Sequence, residues 1–224
     1  MDEKTQGLVL KLIDYKDADK LASIFTFDHG IITAKFVGVR REKAKLKALA
    51  QPFTFADFNF TTRAGNKVVA GANMIDNFYH LMMDYNKTIC GYIVLDIIKS
   101  LLPENKPEQD IFVLSVSSLK KIEEENEFVA TIDFILKFLN FSGVGIEFIE
   151  TDYVYLDMTT GDFLKNRTTN SVQIDKNVYK MLASINNGNC ENLENEHALM
   201  QCIRLLRNII QIRFGIEIKS FQFI

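Results

Sequence analysis

Between Lys35 and Lys47 the sequence places six cations, Lys35, Arg40, Arg41, Lys43, Lys45 and Lys47, against one acid, Glu42. Lysine and arginine at this density neutralise phosphates and release the counterions condensed on a nucleic acid, without covalent chemistry and without regard to base sequence. A run of like charges is ordinarily a solvated face or an exposed loop. Its placement weighs against that reading. Residues 1–80 hold twelve Lys and Arg against nine Asp and Glu, whereas residues 81–224 hold fourteen against twenty, in a chain of net charge −3. Positive charge segregated within an acidic chain implies a local anionic partner. Arg63 and Lys67, on a neighbouring hairpin, are further candidates for the same contact.

The parts of a hydrolase or nucleotidase are absent from the sequence: it has no G-x-x-x-x-G-K-[ST] loop, no G-x-S-x-G elbow and no H-E-x-x-H pair. Gly143-Val144-Gly145 is a lone GxG, which the end of a helix explains better than a dinucleotide site. His29 falls in a turn, His80 stands four residues before Asp84 on one expected helical face, and His197 opens the last helix. Isolated histidines usually satisfy local hydrogen bonds, and His80 with Asp84 is half a metal site without companion ligands. Cys90, Cys190 and Cys202 are odd in number and lack CxxC spacing, which argues against a disulfide framework and a cysteine zinc site. No catalytic residue and no cofactor is expected.

The elements that must position the cations come in two kinds. Over the first 75 or so residues the pattern is strand-like. GLVLKLIDY, LASIFTFDHG and IITAKFVGV read as a meander with a turn at His29-Gly30, FTFADFNFT as a fourth strand, RAGN as a hairpin turn, and KVVAGANMI as a fifth strand. Phe53 and Phe55 are out of phase with Phe58 and Phe60, so a β-bulge near Ala56-Asp57 is expected to bring all four to one face, most simply the barrel core rather than a stacking surface. Five short strands fit a closed barrel such as an OB-fold. Past Ile75 the period becomes helical. One long helix is expected over 76–102, stopped by Pro103 and Pro107, then two more, the second ending at Gly143. A hairpin turning at Thr160-Gly161 precedes two final helices, the last with Leu199, Ile203, Leu206 and Ile210 as its buried stripe. The expected fold is α+β and multi-domain: a five-stranded OB-fold barrel over 1–76, then a mainly α-helical domain over 77–224 with a small hairpin insertion at about 150–168. At 224 residues and 47% hydrophobic content the chain can bury real cores. No apolar run is long enough to span a membrane, and the N-terminus does not read as a signal peptide, so a cytoplasmic location is expected.

The stretch from Gly7 to Phe58 resembles the N-terminal domain of the RecO family of bacterial recombination mediators. The elements that carry the resemblance are an apolar GxVL strand (Gly7 to Leu10), an acidic turn (Asp14 to Asp19), a strand ending in T-x-x-x-G (Leu21 to Gly30), a basic stretch (Gly38 to Lys47) and a segment like L-x-P-F (Gln51 to Phe53). The end of the chain, with Gly215, Lys219, Ser220 and Ile224, resembles the family's closing segment, and the likeness is weakest between about 144 and 190. Many members hold zinc there with four cysteines flanking a segment like YLDMTTGDFLKN. This sequence lacks those cysteines, and Tyr153, Tyr155, Phe163 and Leu164 are expected to pack in their place around a metal-free hairpin.

The resemblance implies binding of single- and double-stranded DNA, strand annealing, binding of the C-terminal tail of the single-strand binding protein SSB, action with RecR, and, through these, loading of RecA near the nucleoid. SSB tails are acidic with an apolar end, so Lys120, Lys121, Lys137, Arg204 and Arg207, cations near apolar helical faces, are candidates for holding one. Each by itself reads more simply as an ordinary surface charge on an amphipathic helix. The residues themselves leave a second reading open: a basic barrel can be an adaptor for an acidic protein or peptide rather than for DNA. Nothing in the sequence resembles a base-reading recognition helix.

Overall fold

The computed structural model describes residues 3–150, 154–190, 193 and 195–224. It divides into two compact units, Met1–Met82 with Leu95–Ser117, and Met83–Val94 with Ser118–Ile224.

In the first unit, β1 (Glu3–Tyr15), β2 (Asp19–Thr26), β3 (Gly30–Phe36), β4 (Phe55–Arg63) and β5 (Asn66–Asp76) close into a barrel in the order β1-β2-β3-β5-β4. Closure needs a parallel seam between β3 and β5, at Ala34 with Lys67 and Lys35 with Val68, and a β1 long enough to pair with both β2 and β4. Alternation dictates the interior. Val9, Ala22, Ile24, Ile32, Ala34, Phe36, Ala56, Phe58, Phe60 and Val69 form one buried cluster. The expected RAGN turn is a two-residue connection in which Ala64 (φ 47°) and Gly65 (φ 78°) both take left-handed backbone, as the right-handed twist of a tight hairpin requires.

The register irregularity expected near Ala56-Asp57 is there, but on the opposite strand. Between Phe55 and Ala56 the β4–β5 pairing jumps from Asp76 to Met74, so the extra residue is Ile75 of β5, and a second jump leaves Ala70 extra. The bulges therefore bend β5 and do not rotate Phe55 inward. Phe58 and Phe60 lie in the core with ring centroids 5.6 Å apart, Phe53 is buried just before the strand, and Phe55 faces outward. What covers Phe55 is Phe112, whose ring also meets Phe25 and Phe27 edge-on at 5.3 and 5.7 Å. The same segment returns along β3: Asn105 donates its amide to the Ile31 carbonyl at 3.0 Å, and the Lys106 carbonyl sits where a Cβ on Gly30 (φ 68°) would lie.

The single helix expected over 76–102 is instead the end of β5, a one-turn α1 (Tyr79–Met82) and α2 (Tyr85–Leu101). Two aspartates cause the break. Asp76 Oδ1 accepts from the amide of Phe78, which takes φ 47°, and Asp84 Oδ1 accepts from that of Lys87 at 2.9 Å. Short polar side chains that satisfy backbone donors locally start helices anew rather than continue them.

In the second unit, α4 (Glu127–Phe141), α5 (Lys176–Asn186) and α6 (Glu196–Phe214) pack on one another, and α3 (Gln109–Glu124) contributes its second half. Each start has a side-chain cap: Asn126, Asp175 and Asn195 accept from amides of the first turn. Leu199, Ile203, Leu206 and Ile210 are buried, as their spacing requires, and Gly143 and Gly215 end α4 and α6 with left-handed backbone. The expected hairpin gains a strand. β6 (Val154–Asp157) is central, with β7 (Phe163–Leu164) and β8 (Ser171–Ile174) on either side. Phe163, Phe148 and Tyr179 form an aromatic cluster there, with centroids 4.9 to 5.8 Å apart, and the Tyr179 hydroxyl both accepts from and donates to the backbone of Ile149. Tyr155 and Leu164 are half-buried, while Tyr153 lies outside the described residues. The fold class read from the sequence, a five-stranded barrel followed by helices and a small sheet, is the one observed.

Candidate nucleic-acid interface

The connection from β3 to β4 carries the basic run, and its apolar residues explain why the cations point outward. Val39, Leu49 and Ala50 belong to the barrel's buried cluster and Leu46 packs against it. These side chains cork one end of the barrel through a short 3-10 turn at Lys47–Leu49. The intervening Arg40, Arg41, Lys43, Lys45 and Lys47 have no room inside and are exposed.

One edge of the loop is pinned to the β1–β2 turn. The Gly38 amide donates to Asp19 Oδ1 at 2.8 Å and the Arg40 amide to the Ala18 carbonyl at 2.9 Å. The Arg40 guanidinium lies 3.3 Å from Asp14 Oδ2 and donates to the Lys16 carbonyl at 3.3 Å. The acidic turn thus anchors the loop through Asp14 and Asp19. Among the described residues, Arg40 is the member of the run that has a carboxylate partner. Arg41, Lys43 and Lys45 line a cleft of about 530 Å³ together with Val37, Val39, Leu46 and Ala70. Arg40 and Lys47 line another, of about 400 Å³, with Lys20 and Asp14. The structure therefore brings five of the six cations to two adjoining clefts that share Val39. The sixth, Lys35, is half-buried on β3 with its Nζ 4.8 Å from the centroid of the Tyr15 ring, and Lys16 Nζ is 5.5 Å from the same ring. Sequence reading missed Tyr15, Lys16 and Lys20, which lie in and beside a turn that scans as acidic.

The two hairpin candidates differ. Arg63 is exposed at the end of β4. Lys67 pairs with Glu3, and that hydrogen bond holds the Glu3 carboxyl below the usual carboxylate range. His29 stands 3.6 Å from the same carboxylate.

In the second unit, the cations considered for an acidic tail are engaged within the fold. Lys120 pairs with Glu123 and Glu124 at 2.8 and 3.3 Å, and Lys121 and Lys137 converge on Asp133 at 3.2 and 2.8 Å. Arg204 donates to the Ile224 carbonyl and Arg207 to the Asn208 side chain. Lys121 and Lys137 thus share one carboxylate, whereas the two arginines have separate partners on α6 and at the end of the chain. The helical face expected to align His80 with Asp84 does not exist, since α1 ends at Met82. His197 sits in the first turn of α6.

Arg213, which the sequence does not single out, is shielded to 8% side-chain exposure. Its guanidinium donates to the carbonyls of Val144, Gly145 and Gly161 and to Asp162 Oδ1, fastening the Gly143-Val144-Gly145 segment and the Thr160-Gly161 turn to the end of α6. The lone GxG is therefore a docking point for arginine.

The first unit defines an OB-type barrel with a cationic rim. Residues 1–78 match the family model Recombination protein O N terminal, and residues 82–221 match Recombination protein O C terminal. Relatives called DNA repair protein RecO include those of Caldicellulosiruptor saccharolyticus, 28% identical over 149 residues (66% of this chain, 61% of the relative), and Clostridium novyi, 29% identical over 148 residues (65% and 57%). Another, from Alkaliphilus metalliredigens, is 30% identical over 143 residues (63% and 58%). The chain spans about half to three fifths of the length of the curated relatives it matches. It belongs to the RecO family.

Proposed function

We propose that the protein is a non-enzymatic mediator of DNA repair and homologous recombination that binds single- and double-stranded DNA through the backbone, along Lys35, Arg40, Arg41, Lys43, Lys45 and Lys47, with Arg63 at the edge of the surface. The observation that carries this reading is a loop whose apolar residues are consumed by the barrel and whose exposed cations line two adjoining clefts. Neutralising two strands on such a surface lowers their mutual repulsion and lets base pairing proceed, which is all that annealing demands. Family membership supports the remaining parts of the proposal: binding of the SSB tail on the helical unit, cooperation with RecR, RecA loading on SSB-coated strands, and action in the cytoplasm at the nucleoid. No described helix is long and apolar enough to cross a membrane.

The test is fluorescence anisotropy of a labelled single-stranded oligonucleotide against salt. Four or five phosphate contacts give a log-log slope of about −3. Arg40→Glu/Arg41→Glu/Lys43→Glu, checked for folding, should remove about two units of that slope and most of the affinity. Unchanged binding by the folded variant would refute the assignment. One feature favours the adaptor reading as the alternative: the larger cleft sets three cations beside apolar lining residues, which suits an acidic peptide bearing an apolar end. A shallow salt slope for DNA together with tight peptide binding would decide for it.

A further inference from the structure

We propose that Tyr15 is the base-stacking residue of this surface, and that Lys35 and Lys16 shift from its ring to the phosphates of the stacked nucleotide. The inference rests on the DNA reading above and deepens it. Barrels that hold single strands combine a cationic track with an aromatic platform, since every base offers a π-face. The five strands carry six aromatic side chains, and five are spoken for. Phe36, Phe58 and Phe60 are in the barrel core, Phe25 is fully buried against Phe112, and Phe55 faces Phe112. Tyr15, half-buried at the end of β1, is the sixth.

Two lysines approach its ring. Lys16 takes left-handed backbone (φ 53°) in the β1–β2 turn, and its ammonium comes to 5.5 Å from the ring centroid. Lys35 reaches 4.8 Å from the neighbouring part of the sheet. The basic loop is bonded to this same turn through Arg40 and Gly38, so the turn beside the ring also anchors the cationic track. Of the acids nearby, Asp14 is paired with Arg40 and Asp19 accepts from Gly38, leaving Asp17 at the exposed turn. A base laid on the ring displaces an ammonium, and the phosphate it brings receives that ammonium. The cation–π contact is exchanged for a stack and an ion pair.

The experiment compares a labelled oligo-dT with an abasic strand of equal length and phosphate count, by anisotropy, for wild type, Tyr15→Phe and Tyr15→Leu. Wild type and Tyr15→Phe should bind oligo-dT about tenfold more tightly than the abasic strand, and Tyr15→Leu should lose that preference while binding the abasic strand as wild type does. A preference that survives in Tyr15→Leu, or an equal loss on both strands, overturns the proposal, the second outcome reducing Tyr15 to a support for the lysines. Wild type that binds the abasic strand without base preference sinks Tyr15 alone; wild type that binds neither strand sinks the DNA reading with it. Photocrosslinking of wild type to a 5-iodouracil strand provides a check that needs no variant. A crosslink at Tyr15 supports the stack, and crosslinks confined to the basic loop exclude it.

Discussion

The cations of the barrel and those of the helical unit are alike in kind and opposite in use. On the loop from β3 to β4, Arg41, Lys43, Lys45 and Lys47 are exposed around two clefts, and the packing that orders the loop uses Val39, Leu46, Leu49 and Ala50 instead. In the helical unit, Lys121, Lys137 and Arg213 are spent on Asp133, Asp162 and backbone carbonyls. A charge committed to its own fold needs a further reason to serve a ligand, whereas a charge displayed beside an apolar plug is available to one. Counting lysines along a sequence cannot separate the two.

The sharpest way to break the contrast is at Arg213. Removing a shielded guanidinium orphans three carbonyls, and Arg213→Gln should cost about 3 kcal/mol in urea unfolding of the helical unit. Arg213→Lys should recover little, because a point charge cannot replace the planar fork. A loss below about 0.5 kcal/mol would place Arg213 among ordinary surface charges.

Alkaline titration probes the same unit. Burial pushes the Cys90 and Cys202 thiols up to about 12, and the Tyr179 hydroxyl is raised for the same reason. Groups whose folded values lie above their unfolded ones stabilise fully below the unfolded value. Stability should therefore be flat up to about pH 8.5 and then fall toward pH 12, by as much as about 1.4 kcal/mol per pH unit for each thiol. Urea unfolding at pH 8, 9.5 and 11 measures this, and Cys90→Ala/Cys202→Ala should flatten the slope. An unchanged slope would mean that the thiols do not titrate with unfolding.

The smallest effect sharpens the comparison within the barrel itself. Lys67 is already bonded to Glu3, so Lys67→Gln should change DNA affinity less than twofold, whereas Arg41→Gln should cost about fivefold at 0.1 M salt. Equal losses would put Lys67 on the DNA track despite its carboxylate partner.

Much of the fold was legible because its signals are local. Alternation marks the strands around Ile24, Ile32 and Phe58, Ala64-Gly65 marks a tight turn, and the stripe from Leu199 to Ile210 marks a helix face. The errors have local causes too. Asp76 and Asp84 cap new turns inside an apolar run whose periodicity suggested one helix. Phe55 looked like a core residue displaced by one position, because a strand cannot announce that Phe112, 57 positions away in the chain, will cover its outer face. Of the site, the basic run was visible as composition, while Tyr15 was hidden at the edge of a turn that reads as acidic.

The sequence by itself determined the strands, most of the helices, the segregation of positive charge and the likeness to the RecO family, all properties of residues near one another in the chain. The tertiary structure alone decided which charges are consumed and which displayed. An ion pair such as Lys67 with Glu3, a clamp such as Arg213, and a ring flanked by Lys16 and Lys35 depend on where distant segments come to rest. Coulombic and hydrogen-bonding interactions act over a few ångströms of space, whatever the separation along the chain.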